Sequence, residues 1–443
     1  MGLEVNLPLE TFFPQGENPT FTMLDSNQSL LPRSPDPHRP LEVLTLGQSG
    51  ESLDELDRLL TTLGVKTAAR IEVALRKINP ATYVGSGKLE EVQQLLLSAK
   101  VDAVVLDFDL TPNQLKNVEK LLGKSTIDRP GVIIEIFSRH ARTKESKVQV
   151  ELARLEYLLP RLAHFWSHFE RQRGGLYNKG MGEKQIEVDR RLVRKRMQVL
   201  ADRLKEIERE RQVRRHGRRE VLKVAIVGYT NAGKSTLLNA LTHSGVLAED
   251  KLFATLDSSV RALDPNSHPP VVAIDTVGFI SNLPHSLVAS FRSTLEELRD
   301  SDLLVHVVDG SSPQAREQHE VTEQVLGELE LQDKPRMVVL NKADLIAGPG
   351  GRNLARVISP GAITVSAMDP DDVRRLRDRI LEHFRMGLQV WEVLVPYSEG
   401  RMEALIHAHA VVDITRHLEK GTFYKLRIEE GWARKLGLER FRT

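Results

Sequence analysis

The 443-residue chain contains no cysteine, so neither a disulfide nor a thiolate metal site can be built from it. A reducing cytoplasm is compatible with that composition, and a cytoplasmic protein is the expectation. No run of about 18 apolar residues occurs, so the sequence offers no membrane-spanning helix. The N-terminus lacks a basic stretch leading into an apolar core, and no secretory signal is expected. An excess of one charge is missing too: 62 Lys and Arg against 61 Asp and Glu give a formal net charge of +1, so any basic surface must be local. With 40% hydrophobic and 28% charged residues, the composition is that of a globular protein long enough for two or three domains.

Residues 1–40 hold seven of the 21 prolines, show no helical or strand period, and read as a disordered tail. From Leu41 the texture alternates. "LEVLTLG", "ARIEVALRKI" and "VDAVVLDFD" read as strands; Ser52–Gly64, "KLEEVQQLLLSA" and "TPNQLKNVEKLLG" read as helices, the last with Thr111 as cap and Pro112 at its first position. This predicts a small parallel α/β domain over 41–140. Two heptad-like patterns follow in 141–220: Val148, Leu152, Leu155, Leu159, Leu162 and Trp166, then Ile186, Val193, Met197, Leu200, Leu204 and Ile207, with Arg190 breaking the second. They predict an antiparallel helical hairpin, with Pro160 kinking its first arm. The tip "RQRGGLYNKGMGEKQ" carries four glycines and is read as too flexible for either helix. A second α/β domain is expected over 221–388, and a small α+β module, strand, helix and strand, over 389–443.

Gly228-Tyr229-Thr230-Asn231-Ala232-Gly233-Lys234-Ser235 fits G-x-x-x-x-G-K-[ST], after the strand "VLKVAIVG" and before the helix "TLLNALT". In that setting backbone N–H groups curl around phosphates, Lys234 reaches the β- and γ-phosphates, and Ser235 ligates Mg²⁺. "GSGKL", beginning at Gly85, also holds Gly-Lys but lacks the spacing and has Leu89 in place of Ser or Thr, so it is rejected as a phosphate loop. Three further stretches follow in GTPase order. Asp275-Thr276-Val277-Gly278 ends the strand "VVAID"; Asp275 would hold Mg²⁺ through water and the Gly278 N–H would meet the γ-phosphate. Asn341-Lys342-Ala343-Asp344 follows "RMVVL", and the Asp344 carboxylate can accept from N1–H and the 2-amino group of guanine, donors that adenine lacks. Ser366-Ala367 would set a backbone N–H near guanine O6, although Met368 stands where Lys is usual. Phe253-Ala254-Thr255-Leu256-Asp257 lies where a mobile switch belongs, with Thr255 the candidate second hydroxyl on Mg²⁺. Lys234, Thr255 and Gly278 are the expected catalytic residues.

One expected residue is absent. After Asp-x-x-Gly many GTPases place a Gln that orients the attacking water, and here the position is Phe279, which can orient nothing by hydrogen bonding. Hydrolysis should then be slow in isolation and organised by backbone, by a docked partner or by a cation. Asn231 leaves two readings open: it resembles the position at which some GTPases bind K⁺, or it braces the loop.

The chain resembles HflX, a ribosome-associated GTPase family of the translation-factor-like class, over roughly 41–390. The likeness is carried by "GSGKLEE", "ESKVQVELARLEYLLPRL", "FERQRGG", "GMGEKQIEVDRR", "GYTNAGKSTLLNAL", "FATLD", "DTVGFI" and "NKAD". It implies binding of GTP and GDP with Mg²⁺, and binding to the large ribosomal subunit with the Gly-rich tip entering the peptidyl-transferase region. Separation or rescue of stalled ribosomes under stress, by a monomer, is the implied outcome. The tip departs from the family pattern: Leu176, Tyr177, Asn178, Lys179 and Met181 replace usual residues, and Lys184 replaces Thr. Between Arg190 and Arg219 stand 13 Lys/Arg against 4 Asp/Glu, which suits rRNA phosphates. Gly174, Gly175, Tyr177, Lys179, Arg190, Arg191 and Arg194 are the candidate ribosome contacts, while a solvated helix face is the bland alternative. Two other function classes stay open: a GTP-dependent switch recruiting a protein through the hairpin seam, and an ATP- or GTP-driven RNA remodeller.

Overall fold

The computed structural model describes residues 29–32, 34, 39–75, 77–162, 179–216, 221–242, 253, 259–264, 267, 270–281, 298–346 and 357–443, with side chains in the helix from Lys179 described over 187–210. The chain divides into two units: Met1–Arg211 with Lys251–Asp257 and Asn282–Ser293, and Gln212–Asp250 with Ser258–Ser281 and Thr294–Thr443. In the first, strands β1 (Glu42–Gly47), β2 (Lys66–Glu72), β3 (Ala103–Leu106) and β4 (Ser125–Asp128) form a parallel sheet in the order β2-β1-β3-β4. Helix α1 (Gly50–Thr62) turns Leu53, Leu56, Leu59 and Leu60 inward. Helix α2 (Ser86–Ser98) follows, then α3 (Pro112–Leu122), which opens on the expected Thr111 cap with Pro112, closed as a capping box by Gln114. Strand β2 stops at Glu72, short of the predicted span, because its neighbour β1 ends at Gly47, the register partner of Glu72. Strand β4 and helix α4 (Arg129–His140) were not apparent in the sequence. The strand has only four residues, and α4 is buried continuously from Arg129 to Phe137, which erases any amphipathic period.

Helix α5 (Lys144–Leu158) ends in a 3₁₀ turn over Leu159–Arg161, where Pro160 cannot continue the α-helical ladder. Helix α6 (Lys179–His216) packs against it through the expected seam: Leu155 and Leu162 meet Val193 and Leu200, flanked by Val148, Leu152, Leu159 and Met197. Arg196 clamps Glu151 with Nε and Nη2 at 2.7 and 3.1 Å. The tip is shorter than read, because α6 already includes Lys179–Gln185 and with it Gly180 and Gly182. Both lie in the first turn, where the N–H groups have no intrahelical acceptor in any case.

In the second unit, β5 (Leu222–Gly228), β6 (Val260–Ala262), β7 (Val271–Asp275), β8 (Leu303–Asp309), β9 (Arg336–Asn341) and β10 (Ile363–Thr364) form a sheet ordered β10-β9-β8-β5-β7-β6, parallel except for β6. Helices α7 (Lys234–Thr242) and α9 (Pro370–Met386) cover one face, with Leu237, Leu238, Leu241, Leu376 and Ile380 against Val224, Ile226, Val305 and Val307. Helix α8 (Ala315–Glu328) lies between β8 and β9 in the chain. The C-terminal segment is an antiparallel sheet β11-β13-β12 (Gln389–Val395, Gly421–Ile428, Val411–Leu418) with helices α10 (Gly400–His409) and α11 (Glu430–Lys435). Its strand β12 is one more than the sequence reading allowed: an edge strand exposed from Asp413 to Leu418, it shows no buried alternation to read. Among the described residues no helix is long and apolar enough to cross a membrane.

A buried ionic network joins the N-terminal sheet to the helical hairpin. Asp128, fully buried at the end of β4, accepts from Tyr157 Oη at 2.7 Å, Arg161 Nη2 at 3.0 Å and the Gly131 N–H at 3.1 Å. Burial raises its pKa, opposed by the Arg161 charge and by the hydrogen bond from Tyr157. Removing one donor leaves part of the carboxylate's desolvation uncompensated. Tyr157→Phe, which keeps the ring stacked on Arg161, should destabilise this unit by about 1–3 kcal/mol. Chemical denaturation checks it, and an unshifted midpoint would mean that Arg161 alone satisfies Asp128.

Candidate active site

The segments that follow β5, β7, β9 and β10 gather at the C-terminal edge of the second sheet, the edge at which open α/β sheets bind ligands. Leaving β5, Gly228 has φ +149, and a Cβ there would fall 2.1 Å from the Val307 carbonyl of β8. At Gly233, φ is +88 and a Cβ would fall 2.2 Å from Asn341 Nδ2. Only glycine fits either place. Between them Asn231 takes the left-handed conformation (φ 60), which Asn tolerates better than most residues, and Ala232 is fully buried. Lys234 opens α7 with its side chain buried and its Nζ donating to the Tyr229 carbonyl at 2.7 Å. Burial lowers its pKa to about 8, against a smaller upward pull from Asp275.

On the adjoining strand, Ser235 Oγ donates to Asp275 Oδ2 at 2.8 Å. Thr276 is committed elsewhere, its hydroxyl donating to the Ile226 carbonyl at 2.6 Å, and Val277 is buried. Gly278 passes so close to the loop that a Cβ would lie 2.8 Å from Lys234 Nζ and 2.9 Å from Thr230 Cγ2. Phe279 is 2% exposed, so its ring belongs to the interior. Its backbone is nevertheless tied to the loop, the carbonyl accepting from Thr230 N at 2.7 Å and the N–H donating to Gly228 O at 3.1 Å. Tyr229 adds a side-chain tie, with Oη 2.5 Å from Ser281 Oγ and accepting from Ser281 N at 2.9 Å.

Asn341, at the end of β9, joins two of the segments: Nδ2 donates to the Ala232 carbonyl at 2.9 Å and Oδ1 accepts from Ala367 N at 3.1 Å. Lys342 is left-handed (φ 61) and paired with Asp309 at 2.8 Å, and Ala343 N donates to Val365 O at 3.1 Å. Asp344 is exposed and accepts from Ser366 Oγ at 2.5 Å. Met368 is 77% exposed, so its side chain closes nothing over this corner.

The structure thus brings together Gly228–Ser235, Asp275–Gly278, Asn341–Asp344, Ser366 and Ala367. Ala254, Thr255, Leu256, Asp257, Gly174, Gly175 and Tyr177 lie outside the described residues. Phe253 is described: buried, left-handed (φ 57), assigned by its contacts to the first unit, and packed edge-on against Phe137 with ring centroids 4.7 Å apart. Lys179 is the first residue of α6; further along it, Arg191 and Arg194 are exposed and Arg190 is half-buried. Sequence reasoning missed the Tyr229–Ser281 tie, Asp309 and Asp372, whose Oδ2 accepts the Ser366 N–H at 2.8 Å. Only Asp309, ending the apolar run "LLVHVVD", carried any signal, since strand ends in such sheets face the site.

Known proteins match this sequence along most of the chain. Three family descriptions apply: "GTP-binding GTPase N-terminal" over residues 50–138, "GTP-binding GTPase Middle Region" over 140–218 and "50S ribosome-binding GTPase" over 223–342. GTPase HflX of Magnetococcus marinus is 46% identical over 375 residues, covering 84% of this chain and 86% of that protein. GTPase HflX of Escherichia coli (strain K12) is 38% identical over 357 residues, covering 80% and 84%. A solved GTP-binding protein from the archaeon Sulfolobus solfataricus, in complex with GDP, is 26% identical over 77% of this chain and 98% of that one, with a TM-score of 0.42. The chain belongs to the HflX family of GTPases, enzymes that bind and hydrolyse GTP.

Proposed function

We propose that the protein binds GTP at the edge of the second sheet and spends its hydrolysis on the large ribosomal subunit, separating or rescuing stalled ribosomes under stress as a cytoplasmic monomer. The observation that carries the nucleotide reading is the cationic seat: the buried Lys234 ammonium rests on the Tyr229 carbonyl beside Gly278. The amine exchanges that carbonyl for the β- and γ-phosphates, while backbone N–H groups of the loop and of Gly278 take the remaining oxygens. Ser235 and Asp275 offer hard oxygens 2.8 Å apart and fit Mg²⁺, which they would hold together with the Thr255 hydroxyl. When bound, that ion supplies positive charge to the phosphates. Asp344 reads the guanine edge, and the Ala367 N–H, held by Asn341, lies by the base.

Phe279 sets the kinetic character. A ring that is 2% exposed and hydrogen-bonds nothing leaves the attacking water without a side-chain partner in Asp-x-x-Gly. Water is instead positioned by backbone near Thr255 and Gly278 once the protein docks on its partner. K⁺ beside Asn231 is a second source of charge, although the left-handed backbone there gives Asn a structural reason to be present. The ribosome reading is supported by the "50S ribosome-binding GTPase" description and by the 13 Lys/Arg against 4 Asp/Glu between Arg190 and Arg219. Gly174, Gly175, Tyr177, Lys179, Arg190, Arg191 and Arg194 are assigned to rRNA, the basic residues to phosphates and Tyr177 to base stacking.

Asp344→Asn should weaken GTP by roughly 10–100-fold, the cost of one lost charged hydrogen bond, and should favour xanthosine triphosphate; competition binding measures both, and an unchanged GTP affinity would place the base elsewhere. Lys234 gives a pH dependence. Phosphate raises its pKa, so above about pH 8 the free protein must take up a proton to bind. GTP affinity should be flat below pH 8 and fall above it, by up to about tenfold per pH unit. Calorimetry in buffers of different ionisation enthalpy detects the uptake, and a flat profile to pH 10 would contradict the buried amine. Turnover should be slow alone and rise with ribosomes, with sedimentation stronger for a GTP analogue than for GDP. The association should weaken steeply with salt, unlike pairing through a leucine seam. Fast ribosome-free turnover would overturn the role given to Phe279. The same turnover in K⁺ and Na⁺, for wild type and Asn231→Ala, decides the cation.

A further inference from the structure

On the GTPase sheet, on the face opposite α7 and α9, three metal-ligating side chains converge. His306 lies in β8 between Val227 of β5 and Val338 of β9, and its residue is fully buried. Its neighbours Val305 and Val307 belong to the core beneath α7 and α9, so by strand alternation His306 points to the opposite face. There it meets α8. His319 and Glu323 stand four residues apart on that helix, hence on one side of it. The two imidazoles stack with centroids 4.6 Å apart and planes inclined by 22°, and His306 Nδ1 lies 3.0 Å from Glu323 Oε1. The other Glu323 oxygen is held by Arg336, which fixes the carboxylate.

The stack is not satisfied as a hydrogen-bonded core. Among the described residues, His306 Nε2 and His319 Nδ1 are both buried with no hydrogen-bond partner, a desolvation cost that ordinary interiors avoid. One nitrogen from each ring and one carboxylate oxygen lie within 4.8 Å of one another. Tetrahedral ligation with bonds of about 2.0–2.1 Å sets ligand atoms roughly 3.3 Å apart, so closing the set takes a shift of about an ångström at each atom and a turn of the two rings out of their stack, which brings their in-plane lone pairs together. We propose that His306, His319 and Glu323 form a second metal site, selective for a divalent transition ion of the zinc class and separate from the Mg²⁺ expected at the nucleotide.

The protonation states suit it. Burial lowers both histidine pKa values, and Glu323 is lowered to about 2, first by its hydrogen bond with His306, so the site holds two neutral imidazoles and a carboxylate near neutral pH. Two nitrogens and one oxygen favour zinc-like ions over Mg²⁺ or Ca²⁺, which prefer oxygen throughout. The Glu323 side chain is 32% exposed, giving an entry path and room for a water as fourth ligand. Arg336 tempers the affinity by its charge while orienting the carboxylate, as outer partners of metal ligands do.

The test uses the full-length, metal-stripped protein, with Zn²⁺ titrated against a chromogenic chelator. Wild type should bind one equivalent at this site. His319→Leu and Glu323→Gln should each lose it by more than the roughly 10–100-fold that loss of an outer partner costs. GTP affinity, unchanged in both, certifies the fold. Independently of any variant, Co²⁺ added to wild type should give the intense visible d–d bands of a four-coordinate site. Absence of Zn²⁺ binding to wild type, equal binding by both variants, or only the faint spectrum of six-coordinate Co²⁺ would each overturn the proposal.

Discussion

The nucleotide seat depends on one close approach. Gly228 leaves the central strand against the Val307 carbonyl with no room for a side chain, and this lets the loop turn back over the sheet edge. The segments that meet the loop are brought near by that turn and are tied to it through both backbone and side chains. Phe279 exchanges two main-chain hydrogen bonds with it, and Tyr229 reaches over to Ser281. Asn341 holds the Ala232 carbonyl from the base side. A Cβ at Gly228 would push the loop off Val307 and disturb all three segments together, so the loop, the Asp275 stretch and the Asn341 stretch behave as one piece.

Within that piece the electrostatics are set before any ligand arrives. A buried ammonium with its pKa lowered to about 8 is a cation lacking solvent, held by one carbonyl and the field of Asp275. Such a group gains strongly from a polyanion, which is how binding energy for phosphates is stored in the free protein. The same packing that buries Lys234 buries Phe279, so the site is built to hold charge more firmly than to position water. The release of turnover by a docked partner, as proposed above, rests on that difference.

The first unit solves a different problem. Its parallel sheet has four strands of four to seven residues, and its last helix before the hairpin is buried throughout from Arg129 to Phe137, so apolar burial alone specifies little direction. Direction comes from buried charges. Arg129 pairs with Asp107 at 2.6 Å and also with Glu55, while Asp128 gathers Tyr157 and Arg161. Because an unpaired charge in the interior is costly, these pairs accept one arrangement of α4 and α5 and reject others. Helix α6 then carries its arginines outward, with Arg196 returned to Glu151 and Arg191 and Arg194 left exposed.

The sequence alone determined what depends on local order. The G-x-x-x-x-G-K-[ST] spacing after a strand, the Asp275 and Asn341 stretches in register, the Thr111 cap and the Pro160 break are all properties of a few adjacent residues, and periodicity marked the seam of α5 and α6. Tertiary structure decided the rest. Strand β4 was too short and α4 too uniformly buried to show a period, β12 carries an exposed polar edge, and two of the tip's glycines, Gly180 and Gly182, were absorbed into a helix whose ladder continues past them. The partners of the site residues were not assigned from sequence either: Ser281 for Tyr229 and Asp309 for Lys342 join segments that only sheet pairing brings together, and Asp372 meets Ser366 only through the particular turn that leads into α9. His306 reads in sequence as one polar residue in an apolar strand. Only the packing of α8 on β8 shows that it faces a second histidine and a carboxylate, since strand alternation fixes its face but not its neighbours.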